Sequence, residues 1–290
     1  MSTAGASGDT GRQLARSSPG RLRQRVASAL ALLPIPIAAV WFGWPWLQLV
    51  TAAAAAVMAW EWGRLCDRAG STAVTAVLVR IVLVGAVIAP VATAALANAG
   101  LAVAISLLGA GVVYGMACGA ADLEPLWAAL GTLWVALPCV AFLWLAGEKV
   151  GGRATLLWVL AAVWATDIGA YAFGYIFGGP LLAPRWSPGK TWAGLAGGML
   201  CAALSGTATA RILGISSALP LTLLSAGLAV VGQFGDLAES MAKRRFGVKD
   251  SGGLIPGHGG LLDRLDGLLA VVPTVALLTW IGGRNVLTWR

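Results

Sequence analysis

Ser240–Asp266 reads SMAKRRFGVKDSGGLIPGHGGLLDRLD and runs without a break into GLLAVVPTVALLTWI, residues 267–281. Basic residues, carboxylates, glycines and the sole histidine are crowded together, and an uncharged apolar run follows at once that, with residues 261–266 before it, reads as a membrane span. Charges at the edge of a bilayer are costly and mark function by default. Glycine turns with basic groups suit phosphate, and clustered carboxylates suit a divalent cation.

Outward from this stretch the chain is greasy. Of 290 residues, 58% are hydrophobic and 11% are charged, against about 25% charged in a soluble domain. Only helices or closed barrels satisfy their backbone in lipid. The apolar runs are too long and too weakly alternating for barrel strands. The fold class is therefore all-α, a polytopic integral membrane protein. About nine transmembrane helices are expected, at 26–44, 46–62, 73–96, 100–118, 126–146, 154–178, 193–211, 217–235 and 261–281. Pro34 and Pro36 are expected to kink the first.

Three regions follow: a mobile, basic, cytoplasmic N-terminus (1–24), N-terminal transmembrane helices (25–150) and a C-terminal transmembrane catalytic region (151–290). The first span carries no small-x-small cleavage site, so it is not read as a removable leader.

The net charge of +8 does not indicate a nucleic-acid partner. Arg12, Arg16, Arg21, Arg23 and Arg25 precede the first span, where basic residues set topology and attract anionic lipid. With the N-terminus inside, Arg64, Arg68, Arg185, Lys190, Lys243, Arg244, Arg245 and Lys249 also fall inside. Lys149, Arg153, Arg211, Arg284 and Arg290 fall outside. This excess fits the positive-inside rule and places the polar loops 179–192 and 236–260 on the cytoplasmic face of the inner membrane. The four cysteines (Cys66, Cys118, Cys139, Cys201) form no CxxC pair and read as small apolar fillers.

Asp236 and Glu239 lie three apart at the end of one span, and Asp263 and Asp266 repeat the spacing at the start of the last. Residues i and i+3 share a helix face, so the two pairs can converge on Mg²⁺. The alternative is structural pairing with Lys243, Arg244 and Arg264. Ser187, Lys190 and Thr191 lie just before a span whose positive N-terminus can face an anion. The GxxxxGK[ST] spacing is absent, and a Ser-Pro-Gly turn capping the helix is the plainer reading. Lys243, Arg244, Arg245 and Lys249 form either a topology-setting cluster or a polyanion site, and the surrounding glycines favour the latter. His258 is either structural or a phosphate ligand. Asp167 lies deep in the sixth span, either functional or hydrogen-bonded to Tyr171. Glu61, between Trp60 and Trp62, has no assigned role, nor does Arg80.

Ser240, Lys243-Arg244, Lys249-Asp250, Pro256 through Gly260, Asp263-Arg264 and Asp266 together resemble the signature of the phosphatidate cytidylyltransferases, or CDP-diacylglycerol synthases. The pattern Trp164, Asp167, Ala170-Tyr171, Gly174, Phe177-Gly178 is similar to the same family, as are Ser187-Pro188 and Lys190-Thr191-Trp192. The likeness covers roughly residues 160–270; the first 150 residues share only hydrophobicity. Ala193, Gly189 and Gly267 depart from the residues common at those positions. Ala193 argues against an essential acid there.

The resemblance implies that CTP and phosphatidic acid give CDP-diacylglycerol and pyrophosphate for phospholipid synthesis. It implies catalytic roles for Asp236, Asp263, Lys243, Arg244 and Arg264. Asp236, Asp263, Glu239 and Asp266 would hold Mg²⁺, with room for a second cation because two-metal clamps suit such a displacement. Ser187, Lys190, Thr191, Lys249, His258 and Asp167 would bind substrate. The partners implied are CTP, phosphatidic acid and the lipid bilayer, with the oligomeric state, a homodimer included, left open. Competing readings are a CTP-dependent enzyme acting on a polyprenol or an ether lipid, an anion transporter using Asp167 and Arg80, and an inactive scaffold. The transporter reading lacks an inverted repeat; the scaffold reading sits badly with intact carboxylates.

Overall fold

The computed structural model describes residues 33–67, 74–96, 98–120, 123–253 and 259–288. The basic N-terminus (1–24), the start of the first expected span and His258 lie outside them. The helices are α1 (Pro34–Phe42), α2 (Trp46–Leu65), α3 (Val74–Ala95), α4 (Ala99–Cys118), α5 (Pro125–Ala146), α6 (Gly152–Phe177), α7 (Trp192–Ile212), α8 (Leu219–Arg245) and α9 (Leu262–Ile281). Strands β1 (Leu181–Ala183) and β2 (Ser187–Thr191) form an antiparallel ribbon between α6 and α7.

Among the described residues seven helices, α3 through α9, are long and apolar enough to cross a bilayer, where nine spans were expected. The difference lies at the start. The first expected span, 26–44, lies partly outside the described residues; its described part holds α1, of nine residues. Helix α2 has 20 residues but carries Gln48, Glu61 and Arg64. Pro34 and Pro36 stand in the first turn of α1 rather than kinking its middle; there the missing N–H costs nothing.

Residues 236–245 are helix, not loop. The run LAESMAKRR is built from strong helix formers, so α8 continues for 27 residues, about 40 Å. Lys243, Arg244 and Arg245 occupy its last turn, where cations complement the helix dipole. Gly247, at φ +71°, turns the chain away.

Helix α5 packs against α2, α3, α4, α6 and α9, with Val135, Ala136 and Val140 buried. Helix α7 packs against α6 and α8. At the first of these contacts a Cβ on Gly169 would meet Gly197 O at 2.5 Å, and one on Gly198 would meet Thr166 O at 3.1 Å. Small residues let membrane helices approach this closely. Cys201 fills a gap at the same contact, Cys66 and Cys139 are buried, and none of the four cysteines is in a disulfide. Leu107, Leu108 and Val112 of α4 are more than half exposed, as suits a lipid-facing surface.

Cross-contacts gather the polar segments at one end of the bundle. Arg245 at the end of α8 pairs with Glu124 before α5 at 3.1 Å. Arg244 Nε donates to Trp186 O in the β1–β2 turn at 3.4 Å. Glu61 of α2 accepts from Leu261 and Leu262 at the start of α9. At the α2–α3 connection Arg80 pairs with Asp67, whose side chain is 1% exposed, and lies over the Trp60 ring.

Candidate functional site

Three ionic units meet at this end. The first joins the ribbon to α8: Lys190 Nζ lies 2.5 Å from Asp236 Oδ2. Lys190 is placed by the residue after it. Thr191 ends β2 and caps α7, its hydroxyl accepting Gly194 N–H at 3.0 Å. Pro188 and Gly189 thus sit in a strand rather than a turn. The Asp236 side chain remains 32% exposed, open to a ligand.

The second unit joins α8 to α9. Lys243 Nζ donates to Glu239 Oε1 at 3.0 Å and to Asp263 Oδ1 at 2.7 Å. Asp263 also accepts Ser251 N–H, at 3.0 Å on Oδ2, and Gly260 N–H at 2.9 Å. It is thereby committed to a lysine and to the chain entering α9. Glu239 is 1% exposed, and its Oε2 has no hydrogen-bond partner among the described residues.

The third unit is a gathering of like charge. Asp266 has Asp236, Glu239 and Asp167 within electrostatic reach, and its Oδ1 accepts Gly267 N–H at 2.7 Å. Helix packing forces this. A Cβ on Gly235 would meet Asp266 O at 2.8 Å and Ala270 Cβ at 2.7 Å, so α8 and α9 cross nearly backbone to backbone beside Asp236. Lys190 and Arg264 offset the charge on Asp167. Tyr171 stacks on Tyr175 and is 76% exposed; it is not the partner of Asp167 considered from the sequence.

Asp167, Lys190, Asp236, Glu239, Lys243, Asp263, Arg264 and Asp266 are therefore brought together. Ser187 lies on the same strand as Lys190. Arg244 is exposed and tied to the ribbon turn, and Lys249 is exposed with no ion-pair partner among the described residues. Glu61 was unassigned from the sequence, yet it is 5% exposed and accepts three hydrogen bonds, from Ser251 Oγ at 3.4 Å, Leu261 N at 3.0 Å and Leu262 N at 2.9 Å. A carboxylate at the end of an apolar run was the one available signal; its partners lie about 200 residues away.

Among the described residues no three His, Cys, Asp or Glu side chains form a ready-made metal cage. Mg²⁺ needs none, since it usually takes one or two carboxylates with phosphates and water. The donor set suits it: Asp236 is partly open, Asp266 is beside it, and Glu239 Oε2 is a buried carboxylate oxygen with no partner among the described residues.

Fold and site together define a polytopic membrane protein with a dense ionic centre at one end of its helices. The chain belongs to the cytidylyltransferase family, whose model matches residues 23–281. It is 37% identical over 270 residues to the phosphatidate cytidylyltransferase of Pseudomonas aeruginosa, covering 90% of this chain and 98% of that one. It is 44% identical over 151 residues to the protein of the same name from Brucella suis, covering 52% of this chain and 56% of that one. Against the Haemophilus influenzae protein of that name, identity is 45% over 127 residues, 42% of this chain and 44% of that one. In the last two alignments the chain spans about half of the relative's length.

Proposed function

We propose that the chain transfers the cytidylyl group of CTP to phosphatidic acid, giving CDP-diacylglycerol and pyrophosphate. The observation that carries this reading is the Lys190–Asp236 pair beside Asp266, a cation and two carboxylates at the membrane edge, in a chain similar along nearly its whole length to a phosphatidate cytidylyltransferase. Acyl chains stay in the bilayer while the lipid phosphate reaches the charged end. The nucleotide enters from the cytoplasm, the side assigned to the basic loops by the positive-inside rule.

A phosphatidate oxygen forms a bond to the α-phosphorus of CTP. The bond from that phosphorus to the α–β bridging oxygen breaks, and pyrophosphate leaves in line. Little covalent work falls to the protein, so positioning and charge stabilisation dominate. Lys190, with Ser187 on the same strand, holds the nucleotide phosphates, and Thr191 fixes Lys190 by capping α7. Arg264, Lys249 and Arg244 take the lipid phosphate or the departing pyrophosphate. Asp236 and Asp266, with Glu239 behind them, would hold Mg²⁺, which would offset the repulsion between two polyanions. Asp167 sets the charge around Lys190 and Arg264. Asp263 keeps Lys243 and the start of α9 in register, so its part is to build the metal-binding face rather than to face the metal alone. Phosphatidate is nucleophilic as its dianion and needs no general base.

Isotope placement tests this. With CTP labelled at the α-phosphate, label enters the lipid fraction in the presence of phosphatidate; with CTP labelled at the γ-phosphate, it does not. Transfer of the γ-phosphate would make the protein a lipid kinase and overturn the reading.

A further inference from the structure

Glu61 belongs to α2, in the half of the chain that holds no other member of the ionic centre. The residue is 5% exposed, and its carboxylate is bonded to Ser251 and Leu261 on either side of the glycine-rich segment. Oε1 accepts Leu261 N–H at 3.0 Å, and Oε2 accepts Leu262 N–H at 2.9 Å and the Ser251 hydroxyl at 3.4 Å. The first N–H groups of a helix lack partners within it, and negative charge there is favourable.

The glycines fit the carboxylate as closely as the donors do. A Cβ on Gly252 would lie 2.7 Å from Glu61 Oε1. A Cβ on Gly260 would lie 2.7 Å from Glu61 Oε2 and 2.2 Å from Ser251 Oγ. Gly252 and Gly260 thus leave the room in which the carboxylate sits. Ser251 and Gly260, held by or packed on Glu61, are also the residues whose N–H groups Asp263 accepts. From Glu61 one chain of bonds runs through Ser251 and the first turn of α9 to Asp263, Lys243 and Glu239.

We infer that Glu61 is a positioning residue: it docks the N-terminal half of the bundle onto the start of α9 and so sets where Asp263 and Asp266 stand against α8. The inference rests on the proposed reaction for its kinetic consequence, but not for its structural one. Glu61→Gln keeps the size of the side chain and replaces one accepting oxygen by a donor, which then opposes an N–H. The expected result is a roughly 10- to 100-fold fall in kcat, the scale of losing hydrogen bonds to a charged group, with KM for CTP little changed and a higher Mg²⁺ requirement. Glu61→Asp, one methylene short, restores less than half of the lost kcat.

Hydrogen exchange supplies the readout that needs no turnover. In Glu61→Gln, amides of residues 259–265 exchange faster, while those of α4 and α7 do not. Wild-type exchange at 259–265 with unchanged kcat would overturn the inference. So would a uniform rise in exchange across all helices, because that is general destabilisation. If Glu61→Gln does not accumulate as folded protein, Ser251→Ala, which removes one hydroxyl, carries the test: faster exchange at 259–265 supports the inference and unchanged exchange overturns it. An inactive wild type would count against the proposed reaction and leave the exchange result to decide the role of Glu61.

Discussion

Lys190 Nζ sits 2.5 Å from Asp236 Oδ2, joining the ribbon that precedes α7 to the extension of α8. A cation on a strand and a carboxylate on a helix, from segments 46 positions apart, share one partly open spot. In the proposed reaction the nucleotide phosphates draw Lys190 from Asp236 and leave that carboxylate for a metal ion.

Lys190→Ala should therefore lower kcat/KM by roughly 100- to 1,000-fold, the scale for removing one preorganised donor to a developing charge. Lys190→Arg should recover little, because a planar fork does not replace a point charge at this spacing. Steady-state assays in mixed micelles check both; near-wild-type turnover in Lys190→Ala would remove Lys190 from the phosphate site.

Asp263 and Asp266 should separate on stability. The Asp263 side chain is 7% exposed and ion-paired to Lys243. Removing one member of a buried pair costs about 3–5 kcal/mol, so Asp263→Asn should lose both turnover and thermal stability. Asp266 stands among carboxylates, and neutralising it relieves like-charge repulsion. Asp266→Asn should lose turnover while unfolding at the same or a higher temperature. Equal destabilisation in both variants would contradict the distinction.

Arg80 should act on stability alone. Its pair with Asp67 is buried, at 12% and 1% side-chain exposure. Arg80→Met should cost about 3–5 kcal/mol, read as a lower unfolding temperature in detergent. Activity per folded molecule should be retained, and a selective loss of activity would give Arg80 a place in the reaction.

Arg211 provides the control. It is exposed in the last turn of α7, at the end of the bundle away from the ionic centre. Arg211→Ala should stay within about 0.5 kcal/mol of wild type and leave turnover unchanged; a large loss would upset the assignment of the two ends.

Much of this was legible in the chain because its signals are local. Long apolar runs fix α3 through α9 to within a few residues, apart from the C-terminal end of α8. There a charged sequence was read as loop, although Leu, Ala, Glu, Met, Lys and Arg all favour helix. The i, i+3 spacing drew attention to Asp236 with Glu239 and Asp263 with Asp266, but Asp263 is bonded to Lys243 whereas Asp266 stands by Asp236 and Asp167. What spacing cannot carry is partnership across the bundle. The Glu239–Lys243 pair is a local i, i+4 contact, but nothing near Lys243 in sequence says that it also binds Asp263, and nothing near Glu61 announces Leu261. Gly235, which brings α8 onto α9, reads locally as one more glycine in an apolar helix.

The central claim is tested most directly by following pyrophosphate release from purified protein in mixed micelles containing CTP, Mg²⁺ and phosphatidate, omitting each in turn. The account predicts release that needs all three and matches CDP-diacylglycerol formation one for one. Pyrophosphate release that persists without phosphatidate, or its absence from folded protein supplied with all three, would contradict it.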